Sequence, residues 1–283
     1  MILDQLLGDI PRTVFMEQHY LKQPFALPGG CRHLLDSAGW PMVEAILHKE
    51  GVDFLAARPE KVWQGTPTPE RARQLLDDGY TLRIRKAEQH DPVLTELMTG
   101  FREAFCGAVD IHIYCTPADH MGLNWHYDAE DVFILQTQGS KTWWLRKNTV
   151  NPWPLAETIP ENMRYERELT PMMKCDLQAG DWLYLPAGYW HRTQAREQSI
   201  SLSVGIFSLT ALDVYDFLRS RLTDSLRWRQ RLPTPGSAGT LTEEELTRQY
   251  KELFADLACD VARMLQQEET VRDFLKQKRQ TTC

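Results

Sequence analysis

A mainly β domain with helical flanks is the fold class this 283-residue sequence predicts. Three observations carry that reading. Between Ala108 and Phe207, runs rich in β-branched and aromatic residues recur between Gly, Pro, Asn and Asp punctuation: "VDIHIYCT", "DVFILQTQ", "KTWWLRK", "DWLYLP" and "SISLSVGIF". Before that block, "MVEAILHKE", "PERARQLLDDG" and "PVLTELMTGFREAF" space their apolar residues three and four apart, the period of a helix with one buried face, and the strand-like "YTLRIRKA" lies among them. After Thr210 the helical period returns in "ALDVYDFLRSRLTDSLRWRQRL", stops at "PTPGSAG" and resumes over "TEEELTRQYKELFADLACDVARMLQQEETVRDFLKQ", where Thr242 and Glu245 have the spacing of a capping box. The strand runs by themselves fit a sandwich or a small barrel. They predict a β core at about 108–208, an α/β flank at 1–107 and a helical region at 209–283.

Composition narrows the function classes. Hydrophobic residues make up 42% of the chain, enough for a sizeable core. A formal net charge of −7 argues against broad nucleic-acid binding, so no direct nucleic-acid contact is expected. The N-terminal "MILDQLLGDIPRTVF" has Asp4 and Asp9 and no basic n-region, and no apolar run is long enough to span a bilayer. The expectation is a cytoplasmic protein without a membrane partner. Six cysteines, at positions 31, 106, 115, 175, 259 and 283, lie far apart without a CxxC pair and read as reduced thiols, with Cys115 and Cys175 as packing residues. The apolar stripe Leu246, Tyr250, Leu253, Leu257 and Val261 must be covered. A homodimer through the C-terminal helices is expected, with packing inside one chain as the alternative.

The chemistry concentrates in "HMGLNWHYDAEDVFILQTQGSKTWW", His120 to Trp144. In a strand, residues two apart share a face, so His126 and Asp128 can offer an imidazole nitrogen and a carboxylate oxygen to one ion while Tyr127 points away. A third donor lies in "AGDWLYLPAGYWHRT", where a strand and a turn at Pro186 to Gly188 present His191. Two histidines and one carboxylate on one side of an ion leave coordination positions open, the arrangement of non-heme Fe(II) oxygenases. On spacing alone, a hydrogen-bonded surface pair and a turn histidine remain equally good readings.

The ordered motifs "GLNWHYDAEDVFILQTQGSKTWWL", "GDWLYLPAGYWHRT" and "SISLSVGI" resemble the JmjC branch of the cupin superfamily, in particular the ribosomal oxygenases, over about Asp110 to Phe207. The resemblance implies a double-stranded β-helix, a jelly-roll of eight core strands, within a catalytic domain at 1–208. It also implies that His126, Asp128 and His191 hold Fe(II), and that Lys141 binds the distal carboxylate of the cosubstrate 2-oxoglutarate. Tyr114 and Ser203 fall where relatives supply a polar group to that cosubstrate. Leu123 stands where some asparagine hydroxylases carry a threonine, so this part of the network differs.

The reaction so implied consumes 2-oxoglutarate and dioxygen, gives succinate and carbon dioxide, and hydroxylates a C–H bond without a side-chain general base. The expected substrate is a protein or peptide side chain, with a small molecule as the near variant. A non-catalytic cupin-fold metal-binding module is the alternative, and a cupin enzyme without 2-oxoglutarate is disfavoured by Lys141. No methyl-ammonium site for lysine demethylation is visible. The ribosomal oxygenases follow their core with a dimerisation region and a winged helix. Leu209 to Cys283 has room for the first and shows no sign of the second. Asp119, Glu130 and Asp131 are expected to border the mouth, where they could attract a cationic side chain. Of Trp125, Tyr127, Trp143, Trp144, Trp182, Tyr184, Tyr189 and Trp190, no more than half are expected to line a pocket.

Overall fold

Alternation decides how the central strands stack. In Gly107–Thr116, every second residue (Val109, Ile111, Ile113, Cys115) is buried in one hydrophobic core, and Asp110, His112 and Tyr114 face the other way. Ser199–Ser208 alternates likewise: Ile200, Leu202, Val204 and Ile206 enter the same core, leaving Ser201 and Ser203 on the opposite face. A computed structural model places these strands side by side; it describes residues 1–59, 61–161, 163, 165, 168–234 and 242–281.

The strands are β1 (Phe25–Leu27), β2 (Asp53–Arg58), β3 (Lys61–Trp63), β4 (Thr81–Arg85), β5 (Gly107–Thr116), β6 (Asp131–Gln138), β7 (Lys141–Arg146), β8 (Met172–Leu177), β9 (Trp182–Leu185), β10 (Trp190–Ala195) and β11 (Ser199–Ser208). The helices are α1 (Ile2–Leu7), α2 (Arg12–Gln18), α3 (Trp40–Leu47), α4 (Pro69–Asp77), α5 (Pro92–Ala104), α6 (Ala211–Leu222), α7 (Glu243–Leu265) and α8 (Glu268–Thr281). An eight-stranded sheet runs β1-β9-β6-β11-β5-β4-β2-β3, and a three-stranded sheet runs β10-β7-β8. Outside the named strands, bridges from Met121 to Gln194 and from His126 to His191 set residues 121–126 beside β10. That segment completes a four-by-four roll with β9, β6, β11 and β5 opposite it. The fold is a roll of two mainly antiparallel sheets with flanking helices, the architecture the resemblance implied.

The chain divides into two compact units, Met1–Ser208 and Leu209–Cys283. In the first, the flank is built into the sheet: β1 pairs with β9 and β4 pairs with β5. Helices α1, α3, α4 and α5 contribute buried faces, Leu3, Ile46, Leu75 and Phe101 among them, to the core they share with strands of the large sheet. Phe15 of α2 sits fully buried among the rings of Phe25, Phe133, Trp182 and Tyr184, at centroid distances of 5.3–6.1 Å. Phe15→Ala should cost about 3–5 kcal/mol, the usual loss for emptying a buried aromatic site. Urea unfolding should show it as a lower midpoint; an unchanged midpoint would mean that the site collapses without loss.

In the second unit, two readings need correction. The helical run beginning at Ala211 ends at Leu222, where the Thr223 hydroxyl bonds back to the carbonyls of Arg219 and Ser220. Thr-Asp-Ser offers such local side-chain bonds in competition with the helix. The final segment is two helices rather than one. It breaks at Gln266-Gln267, and Glu268 and Glu269 open α8 with acidic groups at the positive end of its dipole. Thr242 and Glu245 form the expected capping box. Leu246, Tyr250, Leu253, Leu257 and Val261 are half-buried, and Phe254 remains 57% exposed. Most of "PTPGSAG" and Cys283 lie outside the described residues. Among the described residues the cysteines are free thiols, and no helix is long and apolar enough to cross a membrane.

Candidate metal centre

Two backbone hydrogen bonds, His126 N to His191 O at 3.1 Å and His191 N to His126 O at 2.8 Å, set the two histidines directly opposite each other. Their rings lie 4.1 Å apart between centroids. Each Nδ1 faces a carbonyl two residues earlier, Asn124 O at 2.7 Å and Tyr189 O at 3.0 Å. An Nδ1–H donated there leaves each Nε2 as the free lone pair, the tautomer a metal requires. Asp128 joins them: its Oδ2 is 3.4 Å from His191 Nε2, and one donor atom from each of the three lies within 4.8 Å of the others.

Position and protonation are both set locally. The Gly188 N–H donates to Asp128 O, tying the turn before β10 to the loop that carries the carboxylate. Gly188 has φ +80°, and a Cβ there would meet Pro152 O at 2.7 Å, so only glycine suits the turn. Burial, and then the neighbouring His126, push the His191 pKa down to about 4, so its imidazole is neutral near pH 7. A neutral imidazole is the ligating form.

These side chains open on a cavity that Val132, Ile134, Trp143 and Leu185 also line. Lys141, buried at 4% exposure, lines the same cavity. Lys141 Nζ donates to Ser201 Oγ at 2.9 Å, and among the described residues it forms no salt bridge. Burial without a counter-charge pushes its pKa down to about 8. A buried ammonium of this kind is compensated only by an incoming anion. Tyr114 and Ser203 also line the cavity, and burial raises the Tyr114 pKa to about 12. Two nitrogens, one carboxylate oxygen and an uncompensated cation in the same cavity fit a non-heme iron site with a dicarboxylate beside it.

Ser201, Thr116 and Thr193 share the lining and were not singled out from the sequence. The alternation of "SISLSVG" puts Ser201 on the face of Ser203, and that signal could have found it. Leu123 lines the cavity at 51% exposure. Trp143 alone of the eight motif aromatics lines it, within the expected half; Trp182 and Tyr184 belong to the core.

Of the three acids expected at the mouth, Asp131 lies elsewhere. Asp131 is buried and sits away from any mouth, accepting hydrogen bonds from Tyr184 Oη (2.8 Å), Ser208 Oγ (2.6 Å) and Ala187 N (3.2 Å). Its adjacency to Glu130 in sequence hid this, because strand β6 turns it toward the core. Glu130 is largely desolvated, and burial followed by the charge of Asp128 raises its pKa to about 7. Asp119 is exposed. His112, passed over in the sequence, also has a carboxylate partner, with Asp110 Oδ2 3.3 Å from its Nε2 and Arg83 against its Nδ1 at 2.8 Å.

Comparison with known proteins agrees with this architecture. Residues 83–214 match the model of the JmjC domain. The chain is 30% identical over 136 residues to the bifunctional lysine-specific demethylase and histidyl-hydroxylase NO66 of Drosophila mojavensis, a stretch covering 47% of this chain and 15% of that protein. It is 26% identical over 176 residues to ribosomal oxygenase 1 of Rattus norvegicus, covering 62% of this chain and 30% of the relative. The matched region is thus a minor part of either curated relative. The solved structure of YcfD, a ribosomal oxygenase from Escherichia coli, in complex with cobalt and 2-oxoglutarate superposes with a TM-score of 0.65 at 19% identity, covering 96% of this chain and 71% of that one. At that identity the likeness speaks for the fold. The matched model, the relatives and the shared roll together show that residues 83–214 are similar to the JmjC domain in sequence and in fold.

Proposed function

We propose that this protein is an Fe(II)- and 2-oxoglutarate-dependent oxygenase that hydroxylates a protein or peptide side chain. The observation that carries the reading is Lys141, a buried cation without an ion-pair partner among the described residues, in the same cavity as His126, Asp128 and His191. Fe(II) held by those three residues would supply, with 2-oxoglutarate and dioxygen, the oxidant that hydroxylates a C–H bond. Lys141 binds the distal carboxylate of the cosubstrate, and Ser201 holds the ammonium in place. Tyr114 and Ser203 offer hydroxyls to the same ligand from the facing strands. Val132, Ile134, Trp143 and Leu185 keep water from the cavity floor. No side-chain proton transfer is required.

Hydroxylation is favoured over demethylation by the cavity wall. Among the described lining residues Tyr114 and Trp143 are the only phenol and indole rings, short of the aromatic cage that selects a methylated ammonium. Purified protein given Fe(II), 2-oxoglutarate and dioxygen should form succinate above a His126→Ala control, and a peptide substrate should gain the mass of one oxygen. Loss of a methyl group instead would replace hydroxylation by demethylation in this account.

The half-buried stripe of α7 supports a homodimer. Light scattering should give twice the 32.8 kDa chain mass, and a monomeric mass would remove the dimer.

A further inference from the structure

Strand alternation has a second result at the metal centre. Because His126 and His191 face the cavity, their chain neighbours Trp125, Tyr127 and Trp190 point out of the other side of the small sheet. The register of β10 on β7 sets Trp190 opposite Arg146 and Arg192 opposite Trp144. The Arg192 guanidinium lies between two indoles, 4.8 Å from Trp144 and 5.2 Å from Trp125. These outer side chains form a grid directly behind the two histidines.

Two residues outside every recognised motif lock this grid. Tyr165 stacks on Trp125 at 4.2 Å with an interplanar angle of 8°, and meets Trp190 edge-on at 5.3 Å. Its hydroxyl accepts from Arg146 at 2.7 Å. Glu168 is buried, and its Oε1 accepts from Trp190 Nε1 at 3.0 Å and from Thr149 N at 2.9 Å. Its Oε2 takes the Thr149 hydroxyl at 2.9 Å, and its carbonyl accepts from Arg146 at 2.8 Å. One ring is thus held beside each histidine: Trp125 next to His126, and Trp190 next to His191. A shift of either ring drags the Cα of its neighbour, and with it the Nε2 that must meet the ion.

We propose that Tyr165 and Glu168 are positioning residues for the metal centre, holding from outside the roll the backbone that carries His126 and His191. This rests on the metal reading above. Groups that orient metal ligands without touching the metal typically change affinity by about 10- to 100-fold when removed.

Cobalt(II) chloride titrated into metal-free protein, followed by visible absorption, tests it without turnover. Tyr165→Ala should weaken cobalt binding by about 10-fold and alter the band shape. Tyr165→Phe, which keeps the stacked ring, should stay close to wild type, and Glu168→Gln should alter the band shape even if Tyr165→Ala fails to fold. Leu97→Ala, in the core face of α5, should lower the unfolding temperature and leave cobalt affinity unchanged. The idea is overturned if Tyr165→Ala and Glu168→Gln bind cobalt like wild type, or if Leu97→Ala weakens cobalt as much as they do. Wild-type protein that takes up no cobalt overturns this inference and the oxygenase reading together, whereas normal uptake with unaltered variants overturns the positioning role alone.

Discussion

Replacing His126 by alanine should reduce succinate formation to background and weaken divalent-metal binding beyond the roughly 10- to 100-fold that loss of a merely supporting group costs. The size follows from the donor count. Among the described residues His126, Asp128 and His191 are the one group of at least three His, Cys, Asp or Glu residues placed to hold an ion, so removing one member leaves two donors. Asp128→Ala should act as strongly, because it removes the anionic donor and leaves His191 Nε2 without its neighbour at 3.4 Å. Both variants should keep their fold, since His126 and Asp128 lie outside the hydrophobic clusters. Calorimetry with cobalt(II) checks the affinity and circular dichroism checks the fold. Wild-type affinity in His126→Ala would remove that side chain from the site.

Lys141→Ala should raise the 2-oxoglutarate requirement by more than about 10-fold, since a charge-assisted bond in a buried site is lost and no other lysine or arginine is among the described residues that line the cavity. Metal affinity should stay near wild type, because Lys141 contacts Ser201 rather than the three donors. The split between cosubstrate and metal binding distinguishes an anchor from a residue that supports the fold. A pH dependence follows with a definite sign. Burial lowers the Lys141 pKa to about 8, so the ammonium is present below that pH and is lost as pH rises through it. Affinity for 2-oxoglutarate in wild type should therefore fall above about pH 8, with the bound anion moving the midpoint upward. Titrations across that range check it. The Lys141→Ala variant should lack this component, and an identical pH profile in both proteins would assign the titration elsewhere.

The strands nearest the chemistry were legible because their faces differ in kind. In β5 and β11, apolar residues alternate with polar ones, so the core side can be read from the letters. The three donors were legible as a resemblance and only ambiguous as spacing, since nothing between Asp128 and His191 states that the chain returns to its starting point. The pairing of residue 126 with residue 191 is a product of the roll. Strand β8, "MMKCDL", escaped because it is mostly exposed, without a burial pattern to mark it. Asp131 looked like a surface acid because its partners, Tyr184, Ala187 and Ser208, are remote in sequence. Tyr165 and Glu168 were invisible for the same reason. Their partners Trp125, Arg146, Thr149 and Trp190 converge only once the small sheet has formed.

Diffraction from crystals grown with cobalt(II) and 2-oxoglutarate, recorded at the cobalt absorption edge, addresses the central claim most directly. The account predicts one strong anomalous peak within bonding distance of His126, Asp128 and His191, with ligand density running from it to the Lys141 ammonium. A peak at another site, or a dicarboxylate lying away from Lys141, would contradict it.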